Sequence, residues 1–218
     1  MPFSSIEKAI EEVRRGRMVI VVDGQDRENE GDLVMAAERA TPQAINFMAS
    51  HARGLICVSL APERFSELGI PMMVAENTAL HGTAFGISVD LKGPERTGIS
   101  AFDRSATVRA LCDPQTKPSD LARPGHVFPL KSTASGVLRR PGHTEAAADL
   151  ARLAGMSAAG VLCEILDTDG SMARLPRLEV FARVHDLKMI AIADLIDYRW
   201  RREKLIRRDI LKPRSVPT

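Results

Sequence analysis

Short apolar runs recur along the chain at residues 18–22, 33–37, 55–60, 160–167 and 188–193. They are partly β-branched and too brief for core-spanning helices, which is the pattern of buried β-strands. Stretches with helical spacing lie between them. Ile6, Ala9, Ile10 and Val13 share one face of a helix that Ser4 and Glu7 open as a capping box and Gly16 ends. Thr41 and Pro42 supply the N-cap and first position of a helix running to about Gly54, with Ile45, Met48, Ala49 and Ala52 inward. Pro62 opens a further helical turn or two, and Asp103 or Ser105 caps a short helix through Val108 and Leu111. Thr144 caps an alanine-rich helix ending at Gly155, Pro176 starts another, and Asp194 begins a charged amphipathic one. Residues 85–91 alternate as a strand, whereas residues 127–130 contain Pro129 and give at best an edge strand. Because strands and helices interleave irregularly, the expected fold class is α+β: a single domain with a mixed β-sheet surrounded by helices, in a three-layer α/β/α arrangement.

A chain of 218 residues suffices for one well-buried core, and its 44% apolar content suits a soluble globular protein. The formal charge of +2, with both signs interspersed, gives no electrostatic reason for a nucleic-acid or membrane partner. With only 4% aromatic residues, few rings are available for stacking on bases. Cys57, Cys112 and Cys163 are far apart, lack CxxC spacing and sit in apolar neighbourhoods, so they read as reduced core thiols. No signal-peptide pattern opens the chain and no apolar run approaches membrane-spanning length, so the expected location is cytoplasmic. The domain is expected to occupy residues 1–208, followed by a flexible C-terminal tail over 209–218 that contains Pro213 and Pro217.

Between the first two apolar runs lies Asp23-Gly24-Gln25-Asp26-Arg27-Glu28-Asn29-Glu30-Gly31-Asp32. Asp26, Glu28, Glu30 and Asp32 alternate, so in an extended segment their carboxylates share one face. Such neighbours repel unless a cation or basic partner compensates, which suits a hard, oxygen-liking metal. The alternative is a solvated turn closed by Gly24 and Gly31. A second signal is an internal echo, Arg123-Pro124-Gly125-His126 and Arg140-Pro141-Gly142-His143. A helix follows the second copy, so its first amides, the Thr144 hydroxyl and Arg140 can cradle a phosphate; otherwise the copy is an ordinary Pro-Gly turn. His143 is the better metal-ligand candidate, while His126 serves as a proton shuttle or bonds to backbone, and His51 and His185 read as structural. Glu164 interrupts the apolar run 161–166 on the face of Leu162 and Leu166. Burying it unpaired would cost several kcal/mol, so it needs a partner and suits a general acid or base.

These segments, together with Thr97 and Gly98-Ile99-Ser100-Ala101-Phe102-Asp103-Arg104, resemble the 3,4-dihydroxy-2-butanone 4-phosphate synthases of riboflavin biosynthesis, from about Ser5 to Tyr198. The resemblance implies a lyase that converts D-ribulose 5-phosphate into formate and L-3,4-dihydroxybutan-2-one 4-phosphate. It implies magnesium as cofactor, with manganese as the alternative ion, and a homodimer with shared active sites. Carried over by position, Glu28 and His143 hold the metal. Arg27, Glu28, Asp32, Thr97, Ser100, Arg140, Pro141, Gly142, His143, Thr144 and Glu164 meet the substrate, and His126, Glu164 and Glu30 are catalytic. From the residues alone, two other readings stay open: a different metal-dependent phosphosugar isomerase or aldolase, and a non-catalytic phosphometabolite-binding module. In some relatives a GTP cyclohydrolase II domain follows, and the basic stretch 199–208 resembles that junction.

Overall fold

A computed structural model describes residues 3–203 of the chain. Each of the five apolar runs supplies a strand. In chain order the strands are β1 (Val19–Val22), β2 (Gly31–Ala36), β3 (Cys57–Leu60), β4 (Val89–Leu91), β5 (Leu121–Lys131), β6 (Ala159–Glu164) and β7 (Lys188–Ala191). They form one mixed sheet in the order β4-β5-β3-β6-β2-β1-β7, parallel at β3/β5 and β1/β7 and antiparallel elsewhere. The helices are α1 (Ile6–Arg14), α2 (Pro42–Phe47, continued by a π-helical turn Met48–Ala52), α3 (Pro62–Glu67), α4 (Ala101–Cys112), α5 (His143–Leu153), α6 (Leu175–Val184) and α7 (Ile192–Arg202).

Alternation along each strand sends its side chains into two separate cores. Ile20, Leu33, Met35, Val58 and Val161 pack with Ile45 and Met48 of the α2 segment, Leu111 of α4 and Leu178 of α6. Val21, Val34, Cys57, Leu162 and Ile190 pack on the other face with Ile10 of α1, Leu150 of α5 and Leu195 of α7. The three-layer α+β expectation therefore holds. Gly160 lets α5 press onto the sheet, because a Cβ there would lie 2.5 Å from the Ala147 carbonyl oxygen.

Several local expectations are corrected. Ser5, not Ser4, caps α1: its Oγ accepts from Lys8 N, while Ser4 N is committed to Met189 O on β7. Ser100, rather than Asp103 or Ser105, caps α4 by accepting from Asp103 N at 3.0 Å. Gly142 is the N-cap of α5, and Thr144 lies inside its first turn. The alternating stretch 85–91 forms a strand only at β4, with single bridges at Phe85 and Gly86. The brief edge strand expected at 127–130 is the long interior β5. Its prolines are accommodated because residues 123–126 bulge between the pairs Asp90–Ala122 and Val89–Val127. Pro129 uses its carbonyl toward Gly86 N at 2.8 Å, so the side lacking an N–H faces residues 84–87 and not β3. The part of the C-terminal helix expected after residue 203 and the tail over 209–218 lie outside the described residues.

Candidate active site

The antiparallel register of β2 and β6 sets Asp32 directly opposite Glu164. Both lie at the end of the α5-side face and open into a cavity of about 500 Å³. Its walls include Arg27, Glu28, Glu30, Asp32, Cys57, Leu80, His81, Thr83, Arg140, His143, Thr144 and Glu164. Asp32 is 3% exposed; burial, with the charge of Glu164 opposite, pushes its carboxyl up to about 7 against the pull of His143. Glu164 finds its partner in backbone, with Oε2 accepting from Leu55 N at 2.8 Å. Gly54 makes that approach feasible, since a Cβ there would lie 2.3 Å from the Glu164 carbonyl oxygen.

The acidic loop is curled, not extended. Arg27 N and Asn29 N both donate to Gly24 O, and Asn29 adopts a left-handed φ of 56°. Asp23 holds the curl, with Oδ1 accepting from Glu30 N at 2.9 Å and Oδ2 from Glu28 N at 3.0 Å and Arg27 Nη1 at 2.9 Å. The alternating face expected of four carboxylates is thereby broken: Asp26 is exposed, and Glu28, Glu30 and Asp32 reach the cavity. Burial and the charge of Glu28 raise the Glu30 carboxyl above its ordinary value.

Glu28 lies between Arg27 Nη2 at 2.9 Å and His143 Nδ1 at 3.3 Å. The bond from His143, followed by the Arg27 charge, outweighs burial and lowers its carboxyl to about 2. Burial alone would lower the His143 value, but Asp32, the bond to Glu28 and the charge of Asp23 raise it to about 9. His143 Nε2 and Asp32 Oδ1 lie 4.0 Å apart, and both are buried without a hydrogen-bond partner. Unsatisfied buried atoms of this kind need an ion, water or ligand. Asp23, Glu28 and His143 offer ligand atoms within 4.8 Å of one another. The Asp23 oxygens already serve three N–H donors and the Glu28 oxygens face Arg27 and His143, so within this group His143 Nε2 is the atom left without a partner.

Opposite this acidic wall, Arg140 Nη1 bonds Glu145 at 2.7 Å, while Nη2 reaches His81 O at 3.0 Å and Thr83 Oγ1 at 3.2 Å. The α5 N-terminus begins beside it. A Cβ at Gly142 would fall 2.4 Å from Arg140 Nη1 and 3.0 Å from Arg27 Nη2, so only glycine leaves room where both guanidiniums converge on the helix end. Thr144 is anchored by Ser59 Oγ, which donates to its carbonyl at 2.6 Å. Pro141 is exposed and outside the cavity wall.

His126, Thr97 and Ser100 belong to a second cluster that does not line this cavity. His126 N donates to Asp90 Oδ1 at 2.9 Å, and Nδ1 lies 2.6 Å from Oδ2. Gly98, at a φ of 91°, packs against the pair; Thr97 is exposed beside it, and Ser100 is occupied as the α4 cap. Cys57 borders the cavity as a core thiol, pushed well above its ordinary value by burial. His51 and His185 stack with Phe47 and Phe181 beside a separate cavity of about 330 Å³. Sequence reasoning passed over Asp23, His81, Thr83, Asp90 and Glu145. For Asp23 a signal existed, since Asp before Gly after a strand is a residue that bonds the following amides.

Residues 7–198 match the family model of 3,4-dihydroxy-2-butanone 4-phosphate synthase. The chain is 59% identical over 206 residues to the riboflavin biosynthesis protein RibBA of Aquifex aeolicus, covering 94% of this chain and 51% of that protein. It thus spans about half the length of the first curated relatives it matches. Among solved structures, it superposes on a 3,4-dihydroxy-2-butanone 4-phosphate synthase in complex with two magnesium ions at a TM-score of 0.90 and 41% identity, covering 94% of this chain and 100% of that one. It also superposes on RibBX from A. baumannii, described as a two-domain synthase of the same kind, at a TM-score of 0.89 and 49% identity, covering 92% of this chain and 59% of that one.

Proposed function

Since the chain belongs to the 3,4-dihydroxy-2-butanone 4-phosphate synthase family, we propose that it is a riboflavin-pathway lyase converting D-ribulose 5-phosphate into L-3,4-dihydroxybutan-2-one 4-phosphate and formate. The observation that carries this reading is the single cavity in which Glu28–His143, the facing carboxylates Asp32 and Glu164, and the pair Arg27 and Arg140 meet.

Arg140, Arg27 and the first amides of α5, with Gly142 and Thr144, receive the substrate phosphate and fix the sugar chain along the acidic wall; Pro141 shapes the approach. Glu28 and His143 hold magnesium, or alternatively manganese, which when bound polarises the oxygens of the ketose. Glu164 and Glu30 then move protons at carbons next to the carbonyl during enediol formation, skeletal rearrangement and loss of C4. Their different environments, one bonded to Leu55 N and one raised by burial and the charge of Glu28, suit different steps. Asp32, with a value near neutrality, can accept from or donate to a substrate hydroxyl.

His126 enters through a homodimer in which the Asp90–His126 pair of one protomer faces the cavity of its partner, with Thr97 and Ser100 alongside. In support, His126 keeps a side-chain exposure of 43% although Asp90 holds it firmly, and exposed Ile99 and Phe102 flank Ser100. Residues 1–208 form the synthase domain. No helix among the described residues is long and apolar enough to cross a membrane, and the three free, buried cysteines suit the cytoplasm.

The test supplies ribulose 5-phosphate and magnesium and follows formate, with carbon NMR of the four-carbon product. Formate that disappears with a chelator is the expected result. Isomerised or cleaved sugar without formate would replace this reading with an isomerase or aldolase.

A further inference from the structure

Glu145 is 1% exposed, a setting in which a carboxylate is costly unless its oxygens are occupied. Oε2 accepts from Arg140 Nη1 at 2.7 Å and Oε1 from Thr133 N at 3.2 Å. The side chain thus links the first turn of α5 both to the guanidinium and to the segment that leads into Arg140. Arg140 Nη2 in turn holds His81 O and Thr83 Oγ1 on the cavity rim. Three of the five N–H donors of Arg140 are committed, and two remain for a ligand. An arginine without these tethers would lose most of its rotamer freedom only when a phosphate bound. The gap at Gly142 adds to the case: a Cβ there would also lie 3.0 Å from Glu145 Oε2, so glycine, glutamate and arginine occupy one packed unit.

We infer that Glu145 is the positioning residue for Arg140: its buried carboxylate pre-sets the guanidinium at the α5 N-terminus to receive the phosphate group of a phosphorylated sugar, and steadies the 81–83 rim through it. Glu145 itself touches no substrate. The inference rests on the reading of Arg140 as a phosphate ligand.

The test is a double-mutant cycle read by calorimetric binding of ribose 5-phosphate, with melting temperatures taken alongside. Glu145→Gln is expected to weaken binding about tenfold, the loss of one charge-assisted hydrogen bond. In an Arg140→Ala background the same change is expected to alter binding less than twofold, because the group it acts through is gone. Glu145→Asp keeps the charge and shortens the reach; it stands in should the glutamine variant fail to fold, with a several-fold weakening expected. In turnover, KM for ribulose 5-phosphate rises by a similar factor while kcat falls less than threefold. Equal losses with and without Arg140, or no loss in either background, would overturn the inference. Formate release separates it from the lyase reading. A chain that shows this coupling but makes no formate keeps Glu145 as positioner and loses the lyase, whereas an unmutated chain that fails to bind ribose 5-phosphate overturns the positioning role.

Discussion

Metal uptake by this chain should be steeply pH-dependent, because the imidazole meant to bind the ion is protonated at neutral pH. Asp32, Glu28 and Asp23 surround His143 and raise its value to about 9, against the opposing effect of burial. Only the neutral ring is a ligand, so an incoming cation must displace that proton. At pH 7 the protonated ring predominates, and removing its proton weakens binding. Glu28, held near 2 by its bond from His143, has no proton to give, whereas Asp32, raised to about 7, releases part of one. The affinity for Mg²⁺ or Mn²⁺ should therefore tighten about ten- to twentyfold between pH 7 and 8, with release of roughly one to one and a half protons. Calorimetric titration in two buffers of contrasting ionisation enthalpy measures both quantities. The variant His143→Asn should bind weakly and lose most of this dependence. Constant affinity from pH 6.5 to 8, or uptake without proton release, would refute the placement of a cationic His143 among the ligands.

The same shifts govern the stability of the metal-free chain. The raised His143 value contributes stability fully below about pH 6.5 and loses it as pH climbs through about 9. The lowered Glu28 value contributes above about pH 4.5 and is lost as pH falls through about 2, whereas the raised Asp32 value contributes below about pH 3.8 and is lost as pH rises to about 7, so melting temperature in chelator should fall between pH 4.5 and 6.5. Asp23→Asn replaces one of the two oxygens that hold Glu28 N, Glu30 N and Arg27. Urea titration should show a loss of about 1.5–3 kcal/mol with a larger fractional loss of turnover; full activity would mean the loop curls without Asp23. Gly54→Ala sets a Cβ 2.3 Å from the Glu164 carbonyl oxygen and should cost about 1–3 kcal/mol while displacing the Glu164 carboxylate, seen as an activity loss that persists well below the melting temperature. Mixing inactive His126→Ala and His143→Ala chains should restore about a quarter of wild-type turnover, since half the pairs are hybrids and each hybrid rebuilds one of two sites. No recovery on refolding the mixture would place both histidines in one chain's site.

What the sequence made legible follows the range of the forces involved. Four of the five apolar runs are interior strands and the fifth, β7, is an edge; local composition sufficed for all of them, because burial on both faces demands continuous apolar residues. β5 reads from sequence as at best a brief edge strand because its prolines argue against an interior one, and only the bulge over 123–126 and the orientation of Pro129 answer that objection. Local chemistry also pointed to the acidic loop as a whole and to Arg140, His143 and Glu164, while the resemblance singled out Glu28 within the loop. Their meeting was not legible, since the pairing of Asp32 with Glu164 is a register between strands far apart in the chain. The curl of the acidic loop was hidden for a similar reason: Asp23 acts by accepting three N–H groups, which no alternation of charge reveals. The repeated Arg-Pro-Gly-His tetrapeptide makes the same point within one chain. In the first copy a strand bulge aims both the amide and Nδ1 of His126 at Asp90; in the second the histidine opens a helix and its ring enters a nest of carboxylates. Identical residues thus acquire different charge environments from the element that follows them, so neither copy's role can be inferred from the other.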